Sequence, residues 1–342
     1  MEQFIKIVSE TDLGDIGQVG HKNAILGELS SKLRNGGIQV PHGFFITAGA
    51  FRRYISANEL AGPLATLDKA VDRENFSNLS EVAAQARKLI MNGKFPRDLE
   101  LPVIGTYYAI FQKNEQEVAV RSSIASEVSG IMNFQGQNDS YLNIRGEIAL
   151  MYAVKRCFAS LYNERAIKYR GDHSLPHDSA YLSVCIQQMV RADLACSGTG
   201  CTGLPQPGFG SVVYLAGTWG LGLATAGGRV TFDEYLVSNP NSSILKEAVL
   251  QKKLGSKNTM VVYSDIPAGT NSTYSTVTPR ELRERFILED TEAGQLAQLA
   301  QRIAAHCGQA MGFEWAKDGV NQQLYIVQAT PLRTAIRPKL SL

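Results

Sequence analysis

Three short segments carry the residue types that phosphate and metal chemistry needs. The first is the glycine-rich segment 17–23 (GQVGHKN), which leads into a helix and holds Lys22. Free N–H groups and the helix dipole at such a start favour anions, and a lysine adds a positive point charge. The segment lacks the GxxxxGK[ST] spacing of a Walker A loop. Taken alone, it fits a turn with a solvated lysine better than a phosphate site.

The second segment is the apolar strand 117–121 (EVAVR), which ends at Arg121 and is followed by Ser122 and Ser123. A guanidinium binds phosphate in a bidentate manner, which an ammonium group does not. A salt-bridged arginine at the end of a strand gives the same pattern. The polar, glycine-bearing residues 133–137 (NFQGQ) follow, and we predict that they form a mobile flap over a ligand.

The third segment is a pair of strand patterns, 313–315 (FEW) and 324–328 (LYIVQ). Alternation puts Glu314 on the face opposite its two aromatic neighbours, and Gln328 ends the second pattern with an amide. A carboxylate and an amide on neighbouring strands offer the hard oxygen atoms that Mg²⁺ takes beside substrate phosphates. A solvent-facing glutamate on a half-exposed hairpin fits these residues equally well.

The composition excludes several classes of function. Thirty-four Lys and Arg against 32 Asp and Glu give a net charge of +2, so the chain lacks the basic surface of a dedicated nucleic-acid binder. Five cysteines without a CxxC pair indicate neither a disulfide framework nor a zinc ribbon, and they point to the cytoplasm. The long uncharged stretch 194–228 is broken by glycines and two prolines, so we expect no membrane span.

Helices and strands must position these segments, and the hydrophobic spacing predicts where they lie. Helices are predicted over 22–34, 79–91, 147–169 and 291–306, and strands over 117–121, 181–190, 211–216, 232–237, 259–263, 311–317 and 323–329. In the third helix we expect Ile148, Met151, Phe158 and Leu161 to face inward. Helix-rich sequence gives way to strand-rich sequence near 190–193. This pattern predicts an α+β fold with two lobes.

A series of short segments resembles a known family. In order they are VGHKNAILGEL, VPHGFFITAGAF, VAVRSS, NFQGQNDSYLNIRG, CFASLYNERAIKYR, IQQMVRADLACSG, TWGLG, DEYLV, GSKN, FEWAKDG and LYIVQATP. The chain is similar over nearly its whole length to the N-terminal ATP-grasp domain of phosphoenolpyruvate synthases (pyruvate, water dikinases). More distantly, it is similar to pyruvate phosphate dikinases and rifampin phosphotransferases.

The resemblance implies a two-lobed ATP-grasp fold with a nucleotide cleft between lobes 1–190 and 191–342, the second ending in a metal-binding hairpin. The implied ligands are Mg²⁺ and ATP. The implied site residues are Lys22 and Arg121 for phosphates, Gln188, Met189 and Val190 for adenine, and Glu314 and Gln328 for Mg²⁺. These implications favour the phosphate and metal interpretations over the structural ones.

The resemblance also implies a reaction and a partner. Family members convert ATP, pyruvate and water to phosphoenolpyruvate, AMP and phosphate by way of a histidine on a separate swivelling domain. This sequence has no segment resembling the phosphohistidine site, so it holds no catalytic residue of that kind. If the chain acts as such an enzyme module, the phosphohistidine and pyruvate-binding domains are expected either on a companion chain or on a longer protein of which this chain is a part.

Three positions depart from the family pattern and leave alternatives open. His21 replaces the second of two glycines before the lysine, Leu223 stands where a glutamate is usual, and Thr330 stands where an arginine is usual. Segment 199–205 (TGCTGLP) also replaces an apolar, strand-like continuation. Losing charged groups from a phosphoryl-transfer site impairs turnover more than binding. The alternatives are a degenerate nucleotide-binding regulatory protein and a diverged ATP-grasp kinase or ligase with another acceptor.

Overall fold

The computed structural model describes residues 3–112, 116–126, 140–173, 175, 180–203, 212–222, 231–238, 249–264 and 273–332. The chain divides into two compact units. The first is built from the described parts of Met1–Ser31 and His42–Met189. The second is built from Lys32–Pro41 and the described parts of Val190–Pro267 and Asn271–Leu342. Residues 32–41 thus belong with the second unit, although they precede most of the first in sequence.

The first unit consists of a five-stranded antiparallel sheet and helices that cover it, in the strand order β1-β2-β5-β3-β4. Its strands are β1 (Ile5–Ile7), β2 (Gly43–Ile46), β3 (Val118–Ser126), β4 (Ser140–Ile144) and β5 (Ala180–Gln188). Its helices are α1 (Ile16–Lys32), α2 (Ala48–Ala57), α3 (Ala61–Lys69), α4 (Leu79–Asn92), α5 (Arg97–Phe111), α6 (Gly146–Ser160) and α7 (Glu164–Asp172).

Aromatic side chains fill the core of the first unit. The Phe51 and Phe158 rings meet edge to face at 5.1 Å, and Tyr54 lies against Phe158 at 5.4 Å. The buried Tyr54 hydroxyl donates a hydrogen bond of 2.7 Å to the Ile90 carbonyl oxygen, so its polar end is satisfied. Burial of these large side chains stabilises the helical layer on the sheet.

The second unit consists of a six-stranded antiparallel sheet in the order β13-β12-β6-β7-β8-β9. Its strands are β6 (Cys196–Thr202), β7 (Val212–Trp219), β8 (Asp233–Ser238), β9 (Val249–Lys253), β12 (Met311–Lys317) and β13 (Leu324–Pro331). The strands β10 (Thr259–Tyr263) and β11 (Thr273–Val277) form a separate pair, and the helices are α8 (Arg280–Arg283) and α9 (Asp290–Cys307). The predicted α+β class is confirmed.

One predicted helix is two helices. The segment 147–169 folds as α6 and α7, because i→i+3 hydrogen bonds from the Tyr162 and Asn163 amides tighten the chain before α7 begins. The expectation for Ile148 was wrong, since it is 84% exposed. The buried stripe of α6 runs through Leu150 and Val154, and Ile148 lies off it.

The glycine-rich departure at 199–205 is a strand as far as Thr202. β6 pairs with β12 so that Gly198 lies opposite Trp315 and Gly200 opposite Phe313. A Cβ atom on Gly200 would lie 2.3 Å from the Phe313 ring, and one on Gly198 would lie 2.8 Å from the Trp315 ring. The glycines therefore make room for aromatic side chains, which fill the space that apolar side chains of β6 would otherwise take.

No helix in the described ranges has both the length and the apolar character that crossing a bilayer demands.

Candidate functional site

A glycine turn brings the lysine segment against the sheet of the first unit. α1 is interrupted at Gly20, whose φ of 78° and ψ of 161° are not helical. A Cβ atom there would lie 2.5 Å from the Ile124 carbonyl oxygen and 2.6 Å from the Ser123 hydroxyl oxygen. Only glycine permits this approach to β3. The chain resumes its helix at His21, which is exposed, and Lys22, which is half-buried.

A buried polar network fixes the glycine turn. The Asn23 side-chain amide donates to the Ser183 hydroxyl at 2.9 Å, and that hydroxyl donates in turn to the Val19 carbonyl oxygen. Ser183 lies opposite Ser123 in the pairing of β5 with β3. The residues on both sides of Gly20 are therefore tied to the sheet, which leaves the turn little freedom.

Arg121 lies within β3, where we predicted the end of a strand. The strand continues to Ser126, and Arg121 pairs with Cys185 of β5. Burial raises the pKa of the Cys185 thiol to about 12, while the neighbouring Arg121 guanidinium acts in the opposite direction. Because side chains alternate along a strand, Arg121 and Ser123 share one face. Gly20 packs on that face, so the Lys22 segment and Arg121 lie on the same side of the sheet.

The predicted adenine segment leaves the sheet at the end of β5. The Gln188 amide donates to the His42 carbonyl oxygen at 2.8 Å, and the Met189 amide donates to the Glu117 carbonyl oxygen at 3.0 Å. Among the described residues, the Val190 amide donates no hydrogen bond. Met189 and Val190 are 8% and 7% exposed. Within the described residues, the Val190 amide is therefore the backbone donor of this segment that is available to a ligand.

In the second unit, Glu314 and Gln328 are direct cross-strand neighbours. They face each other in the pairing of β12 with β13, and both are half-buried. The register then shifts, so that Trp315 pairs with Ile326 and the intervening Val327 bulges. Bulges re-aim side chains and occur often beside functional sites. The structure thus brings these two oxygen-bearing side chains together.

Two protein oxygen ligands fit Mg²⁺ when phosphates and water complete its shell. Within the described ranges, no group of three or more His, Cys, Asp and Glu side chains could hold a metal ion alone. Thr330 lies opposite Gly312 and shares the face of Gln328, two residues away along β13. A short hydroxyl side chain therefore stands beside Glu314 and Gln328, the candidate Mg²⁺ ligands. The family pattern has an arginine at this position.

Sequence reasoning missed one buried ion pair. Asp233 of β8 and Lys257 contact each other with both side chains fully buried. The Asp233 carboxylate also accepts the Gly255 amide at 2.7 Å and the Ile287 amide at 2.9 Å. Of the segments quoted in the sequence analysis, DEYLV thus supplies the anion of this pair and GSKN supplies the cation. The only signal in the sequence was the presence of charged residues inside these two otherwise unexplained segments.

The proposed flap at 133–137, Leu223 and the last two residues of segment 199–205 lie outside the described residues. Within the described residues, His173 stacks on Tyr169 at 4.1 Å between ring centroids. His173 therefore has a local structural role at the end of α7.

Comparison with known proteins gives the family. The model of the pyruvate phosphate dikinase AMP/ATP-binding domain matches residues 16–340. The phosphoenolpyruvate synthase of Pseudomonas aeruginosa (strain UCBPP-PA14) is 36% identical over 97% of this chain and 42% of its own length. That of Escherichia coli (strain K12) is 35% identical over 94% of this chain and 41% of its own length.

The phosphoenolpyruvate synthase of Aquifex aeolicus (strain VF5) is 34% identical over 97% of this chain and 40% of its own length. The chain therefore spans about 40% of the length of these relatives. It aligns with the part that corresponds to the nucleotide-binding domain. This chain belongs to the pyruvate phosphate dikinase AMP/ATP-binding domain family and has the ATP-grasp-like α+β fold of that domain.

Proposed function

We propose that this chain binds Mg·ATP and donates its phosphoryl group in a reaction of the phosphoenolpyruvate synthase type. One observation carries the proposal: the Lys22 segment and Arg121 lie on one face of the same sheet, held by the packing of Gly20 on β3. Two cations from separate elements suit a polyphosphate. Glu314 and Gln328, paired across β12 and β13, supply the oxygen ligands for Mg²⁺.

The adenine ring is proposed to meet the segment Gln188–Val190. The amides of Gln188 and Met189 are already used in hydrogen bonds, so Val190 supplies the donor for the base edge. Apolar contact with Met189 and Val190 would cover the ring.

In the proposed reaction, Lys22 and Arg121 hold and neutralise the phosphates, because phosphoryl transfer depends mainly on positioning and on charge stabilisation. Mg²⁺, when bound, would neutralise further charge on the phosphates. A histidine on a companion domain accepts the two terminal phosphates of ATP as AMP leaves, water then releases one of them as phosphate, and the remaining phosphoryl group passes to pyruvate. The overall products are phosphoenolpyruvate, AMP and phosphate.

The proposed partners are therefore a nucleotide and the phosphohistidine and pyruvate-binding domains. These domains lie either on a companion chain or elsewhere on a longer form of this protein. We propose a cytoplasmic location, because none of the five cysteines, all of which lie within the described residues, forms a disulfide.

Calorimetric titration of Mg·ATP into the purified protein tests the binding step. We expect saturable binding by the wild type and at least about tenfold weaker binding by Lys22→Ala, which removes a phosphate contact. Glu314→Gln should weaken binding in the presence of Mg²⁺ and change it little in its absence. Matched controls are Lys88→Ala and Glu281→Gln, which alter exposed residues of α4 and α8. A folded wild type that binds no Mg·ATP would overturn the proposal.

The transfer step is tested separately with γ- and β-labelled ATP and a phosphohistidine domain taken from one of the relatives. Label on the histidine, together with formation of AMP, supports the proposed reaction. Saturated, folded protein that labels no histidine would leave nucleotide binding as the function.

A second candidate function is nucleotide binding without turnover, and the position of Thr330 favours it. Its hydroxyl side chain lies on the face of the candidate metal pair, where the family pattern has an arginine. Thr330→Arg combined with Leu223→Glu should then create phosphotransfer in a protein that binds ATP without it. Continued inactivity of the double variant would contradict this explanation.

A further inference from the structure

We infer that Asp318 is a positioning residue for the adenine segment, and this inference rests on the proposed function. Asp318 directly follows β12, in the turn that joins the strands of Glu314 and Gln328. Its carboxylate holds the backbone of Arg191, the residue after Val190. One side chain thus connects the hairpin of the proposed metal ligands with the residue that directly follows the segment proposed to meet the base.

The two oxygen atoms of the Asp318 carboxylate accept hydrogen bonds from different parts of the chain. Oδ1 accepts hydrogen bonds from the Val320 amide at 2.8 Å and the Asn321 amide at 3.1 Å, which shape the turn itself. Oδ2 accepts the Arg191 amide at 3.0 Å. Asp318 is 8% exposed, so little water competes for these bonds. Only the Oδ2 bond reaches Arg191, the residue that directly follows the adenine segment.

A second bond and a close approach strengthen the connection. The Gly319 amide donates to the Arg191 carbonyl oxygen at 3.0 Å, so both backbone polar groups of Arg191 are bound by the turn. A Cβ atom on Gly319 would lie 2.4 Å from the Leu194 Cβ atom. The glycine in the Asp318-Gly319 pair is therefore required for the turn to reach the chain that follows Val190.

The side chain of Arg191 is held as well. Its guanidinium donates to the Asp193 carboxylate at 2.9 Å and 3.0 Å and lies 4.8 Å from the centre of the Tyr263 ring. Backbone and side chain of Arg191 are thus both fixed within the second unit. The uncommitted amide of the adjacent Val190 is consequently presented in one orientation, which favours a flat base with an acceptor at its edge.

The variant Asp318→Asn tests this inference, because it separates the two sets of hydrogen bonds. Its single side-chain oxygen can keep the turn bonds to Val320 and Asn321, and its amide group then faces the Arg191 amide as a second donor. We expect affinity for Mg·ATP to fall about tenfold, as for a lost hydrogen bond to a charged group. Affinity for Mg·tripolyphosphate, measured by competition with ATP, should stay unchanged because this ligand has no base.

The matched control is Gln323→Ala, which changes an exposed side chain of the same turn whose oxygen accepts from the Tyr325 hydroxyl. It should keep wild-type affinity for both ligands, and thermal unfolding should show that every variant is folded. Equal losses for both ligands in Asp318→Asn, or a loss for neither, would overturn the inference while ATP binding by the wild type stands. A wild type that binds neither ligand would overturn the proposed function and this inference together.

Discussion

At the scale of single residues, Gly20 determines where the candidate phosphate cations lie. Its left-handed φ breaks α1, and its missing side chain lets the backbone approach β3 at Ile124 and Ser123. A conventional helix through this position would carry Lys22 away from the face that holds Arg121. Gly17, one turn earlier, has open space around it and does not carry this constraint.

We therefore expect Gly20→Ala to lower the free energy of unfolding by about 1–3 kcal/mol, through backbone strain and overlap with β3. ATP affinity should fall as well, because the Lys22 segment must shift. Gly17→Ala is the matched control and should leave stability equal or slightly higher, since alanine favours a helix more than glycine does. Urea unfolding and calorimetry measure both effects. Equal stability of the two variants would contradict this account.

The buried pair Asp233–Lys257 is a second case in which a single residue has a large effect on stability. Lys257→Met leaves the Asp233 carboxylate buried without its cation, so we expect a loss of about 3–5 kcal/mol in the free energy of unfolding. The exposed i,i+4 pair Arg280–Glu284 is the control, and Arg280→Ala should leave the urea midpoint nearly unchanged. Similar losses for the two variants would show that burial is not what makes the first pair important.

At the scale of elements, the pairing of β6 with β12 supports the β12–β13 hairpin that carries Glu314 and Gln328. Phe313 and Trp315 lie over Gly200 and Gly198, and Glu314 between them takes the opposite face. Helix α9 contributes a buried stripe of Ala293, Leu296, Ala297, Ala300 and Ile303. The position of Glu314 is thus set by the burial of its two neighbours.

Gly200→Ala should consequently lower the free energy of unfolding by about 1–3 kcal/mol, because the new methyl group overlaps the Phe313 ring. Phe313→Leu in the same chain should recover part of this loss, which a double-mutant cycle measures. Gly36→Ala is the control, because its Cβ atom would meet only the end of the Arg302 side chain at 3.9 Å. Additive effects of the Gly200 and Phe313 changes would argue against direct contact.

At the scale of the whole molecule, the described residues form two compact units, each with its own sheet and core. Each unit buries cysteine thiols and tyrosine hydroxyls, and burial favours the neutral form of these groups. Burial raises the pKa of the Cys185 thiol in the first unit from 9.0 to about 12 and raises that of the Cys196 thiol in the second. Burial likewise raises the pKa of the Tyr54 and Tyr235 hydroxyls.

These shifts predict a loss of stability in alkali. Between the unfolded pKa of 9.0 and the folded pKa of about 12, the unfolded Cys185 thiol loses its proton and the folded one keeps it. The contribution of this thiol to the free energy of unfolding is fully present below pH 9 and is lost as the pH rises. The loss is roughly 2 kcal/mol at about pH 10.5. Urea unfolding at neutral and alkaline pH measures the loss, and Cys185→Ala should reduce it. An unchanged alkaline loss in that variant would exclude this thiol as a cause.

Periodic segments could be predicted from the sequence because their burial pattern is local. The spacing in 79–91 and 291–306 gave α4 and α9 to within a residue or two, and alternation gave β10 and β12 in full. The hydrophobic pattern gave wrong or missing predictions where contacts with distant segments determine burial or strand formation. Ile148 has helical spacing but lies off the buried stripe, and the glycines of β6 form a strand only because the aromatic residues of β12 fill their space.

The sequence by itself determined the family, the α+β class and the residue types available for phosphate and Mg²⁺, because these depend on identity and order along the chain. The tertiary structure alone decided which of them meet: the Gly20 turn on the Arg121 face, Glu314 opposite Gln328, Asp233 against Lys257 and Asp318 on the Arg191 backbone. Sheet register and close backbone approach create these neighbours between segments far apart in sequence, and no local pattern encodes them.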